Sequence, residues 1–317
     1  MHAIFFEDKQ CIWKEVEPAV LAPEQVRIKI SATAVNRADL MQRAGVYPPP
    51  PGYSNIPGLE CSGTIIEKGS AVQGLDDGMQ VCALLAAGGY ATEVVCDAGQ
   101  VLPIPDNINI VDAAAIPEVF ATAWYNLMMV ATLQHGDKVF VKAGGSGVGT
   151  AAIQLCKAMG NTLVVQVGSD EKLKRCQALG AAGGINRRTQ ALSDLKQDGP
   201  FDVILDPVGG ASLEETLPLM AVDGRLVIIG LLGGTKGTLD IGRLLVKRLK
   251  ILGSTLRSQP VSVKARIMSE LQQHAWPMFE AGQLEPIIDS TFSIADIGDA
   301  INLIESNDSF GKVVLRL

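Results

Sequence analysis

Patterns for binding metal or forming disulfides are missing from this 317-residue chain. Its six cysteines, Cys11, Cys61, Cys82, Cys96, Cys156 and Cys176, make no C-x-x-C pair, and with only three histidines, His2, His135 and His274, there is no Cys/His cluster. A zinc knot or disulfide framework is therefore not expected, and the thiols read as small apolar residues in a reducing, cytoplasmic setting. Basic charge is scarce too: 27 Lys plus Arg against 34 Asp plus Glu give a net charge of −7. The chain lacks the basic footprint of a nucleic-acid binder. No apolar run is long enough to span a bilayer, since the greasiest stretch, 113–133, is interrupted by Pro117-Glu118. The N-terminal MHAIFFEDKQ reaches Glu7 before any signal-like run develops, so neither an export segment nor a membrane partner is expected.

Apolar residues make up 47 % of the chain, ample for a packed interior, and the length suits two cores rather than one. The first third reads as short strands, at 26–34, 62–66, 79–85 and 91–96, bounded by Gly, Pro or Asp. Pro48–Pro51 marks a rigid exposed loop, because four prolines fit neither a helix nor an inner strand. From residue 119 the texture changes. Helical patterns at 119–131, 148–159, 170–179 and 212–220 alternate with apolar strands at 138–143, 163–167, 202–206 and 225–230. That alternation predicts a doubly wound parallel sheet covered on both faces, an α/β fold of the Rossmann type. Beyond 258 come a helix at 262–281 broken at Pro277, a short segment at 287–292, a helix at 295–305 and a last strand at 312–317. That last strand needs a sheet, and the first domain is its natural host. The expected organisation is a β-rich domain at 1–117, a dinucleotide-binding domain at 118–258, and a segment at 259–317 returning to the first domain.

Residues 143–149, AGGSGVG, follow a strand and open a helix. The strict G-x-G-x-x-G spacing fails at Ser146, but the placement carries the signal. Glycines let backbone approach a pyrophosphate, and the helix N-terminus presents unpaired N–H groups with partial positive charge. An NAD site would put an acidic residue at the end of the next strand to hold the ribose diol. Here that strand ends in Gly168-Ser169. Ser169, Lys172 and Arg187 can meet a 2′-phosphate instead, which favours NADPH. A shifted turn would bring Asp170 to the ribose and reverse the preference, and Lys172 and Arg187 can equally be plain surface charges.

The segments NRADLMQRAGVYPPPPG (36–52), IPGLECSG (56–63), AAAIPE (113–118), AGGSGVGTAAIQL (143–155) and FGKVVL (310–315) resemble the zinc-independent quinone oxidoreductases of zeta-crystallin type. These belong to the medium-chain dehydrogenase/reductase superfamily, and the likeness is strongest to their tumour-suppressor-inducible branch. It runs over essentially the whole chain. The resemblance implies a GroES-like catalytic domain, a Rossmann domain, NADPH in the cleft between them, and a homodimer. It also bears on metal: zinc-dependent relatives have Cys where this chain has Asn36 and His where it has Leu59, and neither residue present is a zinc ligand.

Carried over position by position, the resemblance implies that Asn36 and Tyr47 lie beside the nicotinamide, with Asp39 supporting their loop. Val119 and Tyr125 would flank the cofactor. Ser146, Gly147, Val148 and Gly149 would face the pyrophosphate, and Gly168, Ser169, Lys172 and Arg187 the 2′-phosphate. Asp206–Gly209 would line the adenosine side; Ile229, Gly230, Leu231, Leu232, Gly311 and Lys312 would contact the nicotinamide half. Arg257 would stand near the cleft mouth. Many relatives have Tyr at position 187, and bacterial ones often have Tyr where this chain has Met41, so a proton donor at position 41 is excluded. Several positions also have plain structural explanations. Tyr47 can pack on its prolines, Asp39 can cap a helix, and one of Trp124 and Tyr125 can be core.

Without a Lewis acid, stabilising an alkoxide is difficult, whereas an electron-poor acceptor needs less help. The expected activity is hydride transfer from NADPH to a quinone or similar conjugated carbonyl. The alternatives are reduction of an enone or enoyl-thioester C=C bond and, from another class, an NADPH sensor or RNA-binding protein with little turnover.

Overall fold

The computed structural model describes residues 1–317, and the chain divides into two compact units, Met1–Ala121 with Leu256–Leu317, and Thr122–Thr255. The first unit opens with an antiparallel hairpin, β1 (His2–Glu7) and β2 (Gln10–Glu15). Then come β3 (Gln25–Val35), α1 (Arg37–Arg43), β4 (Glu60–Lys68), β5 (Gln80–Leu84), β6 (Glu93–Asp97), β7 (Val101–Pro103) and α2 (Pro117–Trp124). The hairpin and α1 are additions to the sequence reading; both are too short to show a periodicity.

The second unit carries β8 (Val139–Lys142), α3 (Gly147–Ala158), β9 (Leu163–Val167), α4 (Asp170–Leu179), β10 (Gly183–Asn186), β11 (Phe201–Asp206), α5 (Ser212–Thr216), β12 (Met220–Ile228), α6 (Ile241–Val246) and β13 (Lys250–Gly253). Its six strands are parallel in the order β10-β9-β8-β11-β12-β13. Numbered within the sheet this is 3-2-1-4-5-6, the Rossmann order, in which the strand sequence reverses between β8 and β11. Phe140, Val164, Phe201, Ile204 and Leu226 fill one core of this unit. Two boundaries differ from the sequence reading. The predicted helix 212–220 ends at Thr216 and gives way to a 3-10 turn and β12, and α2 continues as a π-helical turn over Tyr125–Val130.

The chain then returns to the first unit through α7 (Val261–His274), α8 (Trp276–Glu280), β14 (Ile288–Ser293), α9 (Ile297–Ser306) and β15 (Lys312–Arg316). The break between α7 and α8 falls at Ala275, and Pro277 sits in the first turn of α8, where its missing N–H is harmless. Helix α9 buries Ile297, Ala300, Ile301 and Ile304, the i, i+3, i+4, i+7 face of a helix, together with Leu40, Tyr90, Val313 and Leu315. Strand β15 pairs antiparallel with β3 and parallel with β14, with Val313 opposite Val35. That register brings Lys312 to the end of β3, where Asn36 begins α1.

Candidate active site

In the first unit Asn36 stands at the N-cap of α1, but its side chain does not cap the helix. Asp39 does the capping, accepting the Asn36 backbone N–H at 2.8 Å. The Asn36 amide instead donates to Glu60 Oε1 at 2.8 Å and to the Ala34 carbonyl at 3.2 Å, and its Oδ1 accepts from Lys312 Nζ at 2.7 Å. The Lys312 ammonium also donates to Glu60 Oε1 at 2.7 Å and to the Val35 carbonyl at 3.0 Å. All three ammonium hydrogens are thus engaged, as a buried cation requires. Gly311 makes the approach possible: its φ is +90°, and a Cβ there would lie 2.2 Å from the Ile287 carbonyl oxygen.

Glu60 also accepts the Glu118 backbone N–H through Oε2 at 2.8 Å, which ties the first turn of α2 to this cluster. Glu118 is half-buried as a residue, but its Oε2 is sealed from solvent and has no hydrogen-bond partner. Burial first, and then the Glu60 carboxylate, push the Glu118 carboxyl up to about 8. Val119, the next residue, is buried. Behind α1, Tyr90 donates to Asp39 Oδ2 at 2.8 Å and the Gly58 N–H to Oδ1 at 3.3 Å. Desolvation raises the Asp39 carboxyl against the pull of these bonds.

Tyr47 and Tyr53 flank the tetraproline loop, and a cation lies over each ring: the Arg257 guanidinium over Tyr47 and the Lys264 ammonium over Tyr53, both 5.3 Å from the centroid. Arg257 is only 3 % exposed, with Nε bonded to the Ala86 carbonyl, Nη1 to the Tyr47 carbonyl and Nη2 to Gln42 Oε1. It pins the proline loop in place. Lys264 is fully buried with no hydrogen-bond partner at Nζ, and burial lowers its ammonium to about 8.

In the second unit Ser146 caps α3, its Oγ accepting the Gly149 N–H at 3.1 Å. The first N–H groups of a helix lack intrahelical partners, and here Gly147 and Val148 supply them. A Cβ on Gly149 would fall 2.4 Å from the Gly144 carbonyl, so only glycine allows the loop to fold back this tightly. Ser169 caps α4 through the Lys172 N–H at 3.2 Å, and Gly168 lies under the Arg187 guanidinium, whose Nε would be 3.8 Å from a Cβ there. Beside it, Asp170 Oδ1 accepts from Asn186 Nδ2 at 2.8 Å.

Where the strand order reverses, Lys142 Nζ donates to Asp206 Oδ2 at 2.8 Å and to Ser212 Oγ at 3.0 Å, with both charged residues buried. Asp206 Oδ1 holds the Val208 and Gly209 N–H groups at 2.7 and 3.0 Å, so its carboxylate shapes its own turn. Ile229 and Gly230 are half-buried, Leu231 and Leu232 are exposed, and Tyr125 is half-buried in the π-helical turn. Sequence reasoning passed over Glu60, Lys142, Tyr90 and Lys264, because a charge that is to be buried looks like any other charge in a sequence. Glu118 drew notice as a break in an apolar run and as the end of the segment AAAIPE, without a chemical role.

Family models match in two places: an alcohol dehydrogenase GroES-like domain at residues 22–106 and a zinc-binding dehydrogenase domain at 147–273. The bovine quinone oxidoreductase-like protein 2 is 30 % identical over 312 residues, covering 96 % of this chain and 88 % of the relative. The chain belongs to the quinone oxidoreductase-like proteins of the medium-chain dehydrogenase/reductase superfamily. Within that superfamily it is an oxidoreductase with a GroES-like and a Rossmann-type part. Among solved structures it resembles the quinone oxidoreductase of Thermus thermophilus, described also as a complex with NADPH, at 29 % identity with a TM-score of 0.84 over the whole of both chains. It also resembles an NAD-dependent alcohol dehydrogenase, at 28 % identity with a TM-score of 0.87, again over both whole chains. Nowhere do three or more His, Cys, Asp and Glu side chains converge as metal ligands would.

Proposed function

We propose that this member of the family is a zinc-independent, NADPH-dependent reductase that passes hydride to a quinone or similar conjugated carbonyl. The observation that carries the cofactor choice is the corner after β9. It offers a serine hydroxyl and the Arg187 guanidinium, while of the two carboxylates in the first turn of α4, Asp170 and Glu171, Asp170 accepts from Asn186 through Oδ1. A 2′-phosphate needs donors and positive charge, whereas a ribose diol needs a carboxylate acceptor. The residues present fit a dinucleotide: Gly147, Val148 and Gly149 would hold the pyrophosphate, and Ser169 and Arg187 the adenosine phosphate, with Lys172 in the first turn of α4. Once bound, the nicotinamide supplies the hydride. The Thermus relative, described in complex with NADPH, supports this reading, and the NAD-dependent relative is the competing precedent.

Charge speaks against zinc in this cluster. A lysine ammonium, bonded to Asn36 and Glu60, holds the positive position in this cluster, and amide and leucine side chains stand at 36 and 59. These residues do not fit a catalytic zinc. With no metal to stabilise an alkoxide, an acceptor that is already electron-poor is the substrate this site suits. Asn36 and Tyr47 would flank the reacting ring, held there by Lys312 and Arg257 respectively.

Comparing kcat/KM for NADPH and NADH, with an ortho-quinone, a para-quinone, an enone, an enoyl thioester and an alcohol as partners, tests the proposal. NADPH and the quinones are expected to lead. A preference for NADH, a clear lead for the thioester, or stoichiometric zinc in the active protein each defeats it. We further propose a homodimer in a cytoplasmic, reducing setting. The free edge at β13 and the exposed Ile241, Leu245 and Val246 of α6 support the first, and six unpaired thiols the second. Sedimentation of the pure protein checks the dimer.

A further inference from the structure

Hydride reduction of a carbonyl leaves an oxygen that needs a proton, and, on the proposed function, the question is which side chain holds one. Around Asn36 nearly every donor is engaged. Lys312 serves three oxygens, the Asn36 amide hydrogens go to Ala34 and Glu60, and the Tyr90 hydroxyl goes to Asp39. Besides the Lys264 ammonium, Glu118 is the exception. Its backbone is anchored to Glu60 Oε2, yet its own Oε2 is sealed and unpartnered. An ionised carboxylate there would put negative charge on a buried oxygen that has no hydrogen-bond donor and stands beside the Glu60 carboxylate, whereas a carboxylic acid would not.

We propose that Glu118, held as the neutral acid, is the proton donor of the reduction and that Lys264 stabilises the carboxylate left behind. In the step, the Glu118 O–H bond breaks and an O–H bond forms on the acceptor oxygen. That oxygen gains the electron pair delivered with hydride from a dihydronicotinamide, so the quinone is reduced and the dihydronicotinamide oxidised. Glu118 regains its proton from water. The charged groups facing Glu118 are Glu60 and Asp39, which favour its acid form, and Lys312 and Lys264, which favour its anion. Lys264 in turn faces Glu118, Arg257 and the Tyr53 ring. Its unpartnered ammonium gains a counter-charge when Glu118 ionises.

Infrared spectra of the ligand-free protein, read as the pH rises, test the protonation without turnover. A protonated carboxyl band is expected to disappear with a midpoint near 8 and to be missing in Glu118→Gln. In Lys264→Met the midpoint moves to higher pH, because a cation that favoured the anion is gone. With NADPH and a quinone, Glu118→Gln should lower kcat by ~10²–10⁴-fold and abolish the alkaline limb of the kcat profile. If Glu118→Gln does not fold, the wild-type and Lys264→Met spectra still decide: no band at neutral pH, or an unmoved midpoint, overturns the proposal. Full quinone turnover by folded Glu118→Gln overturns the donor role alone. A wild-type protein that titrates as expected but reduces no quinone overturns the functional reading, and the donor role with it.

Discussion

Lys312 Nζ stands 2.7 Å from Glu60 Oε1, and neither side chain is more than 4 % exposed. The resemblance implies that Lys312 contacts the nicotinamide half; what the fold shows is that it links the last strand, β15, to the start of α1 and orients the Asn36 amide through Oδ1. A buried pair of this kind contributes little beyond an apolar substitute, yet losing one member leaves the other unpaired in the interior.

Lys312→Met should therefore cost about 3–5 kcal/mol of unfolding free energy, measured by urea denaturation. Adding Glu60→Gln should restore a large part of it. A stable Lys312→Met single variant would show that Glu60 finds another partner.

At the corner after β9, Arg187→Ala should lower kcat/KM for NADPH by ~10–100-fold, the value of one or two charge-assisted hydrogen bonds, and leave that for NADH nearly unchanged. Ser169→Asp keeps the cap of α4, since Asp caps as well as Ser. It should shift preference toward NADH by placing a carboxylate at the ribose. Equal losses with both coenzymes in Arg187→Ala would mean that the guanidinium only supports the fold.

Tyr47→Phe should lower kcat by less than ~10²-fold, below the range of an essential acid–base group. Its ring keeps the Arg257 contact and loses only the hydroxyl. A larger loss in stopped-flow reduction would give the phenol a direct chemical role.

The Glu118 carboxyl is raised in the folded state, by burial and then by Glu60, above its unfolded value. The native protein therefore binds the extra proton between the ordinary carboxylate range and about 8. Its contribution to stability is fully present at acid pH and is lost as pH rises through that window. Thermal melts of the wild type should thus fall across it more steeply than those of Glu118→Gln. Parallel curves would mean that Glu118 is ionised at neutral pH.

Most of the architecture was legible because its signals are local. A glycine loop between an apolar strand and an amphipathic helix, repeated strand–helix alternation and a lone final strand each follow from spacing along a few residues. The seven-residue helix α1 and the hairpin β1–β2 left no such trace. Helix 212–220 reads too long in the sequence because Leu217–Met220 is apolar in either structure. At the candidate site, the resemblance named the glycine loop, Ser169 and Arg187 as cofactor residues, and the bond between Asp170 and Asn186 is visible only in the fold.

Chain order and side-chain type alone settled the Rossmann-type unit and the β-rich partner, because backbone preferences belong to the residue itself. Tertiary structure decided which charges are buried and what each one faces. Lys312 meets Glu60 across 252 residues of sequence, and Arg257 meets Gln42 across 215. The energy of a charge depends on its dielectric surroundings and its neighbours in space, and neither is written in the residues beside it along the chain.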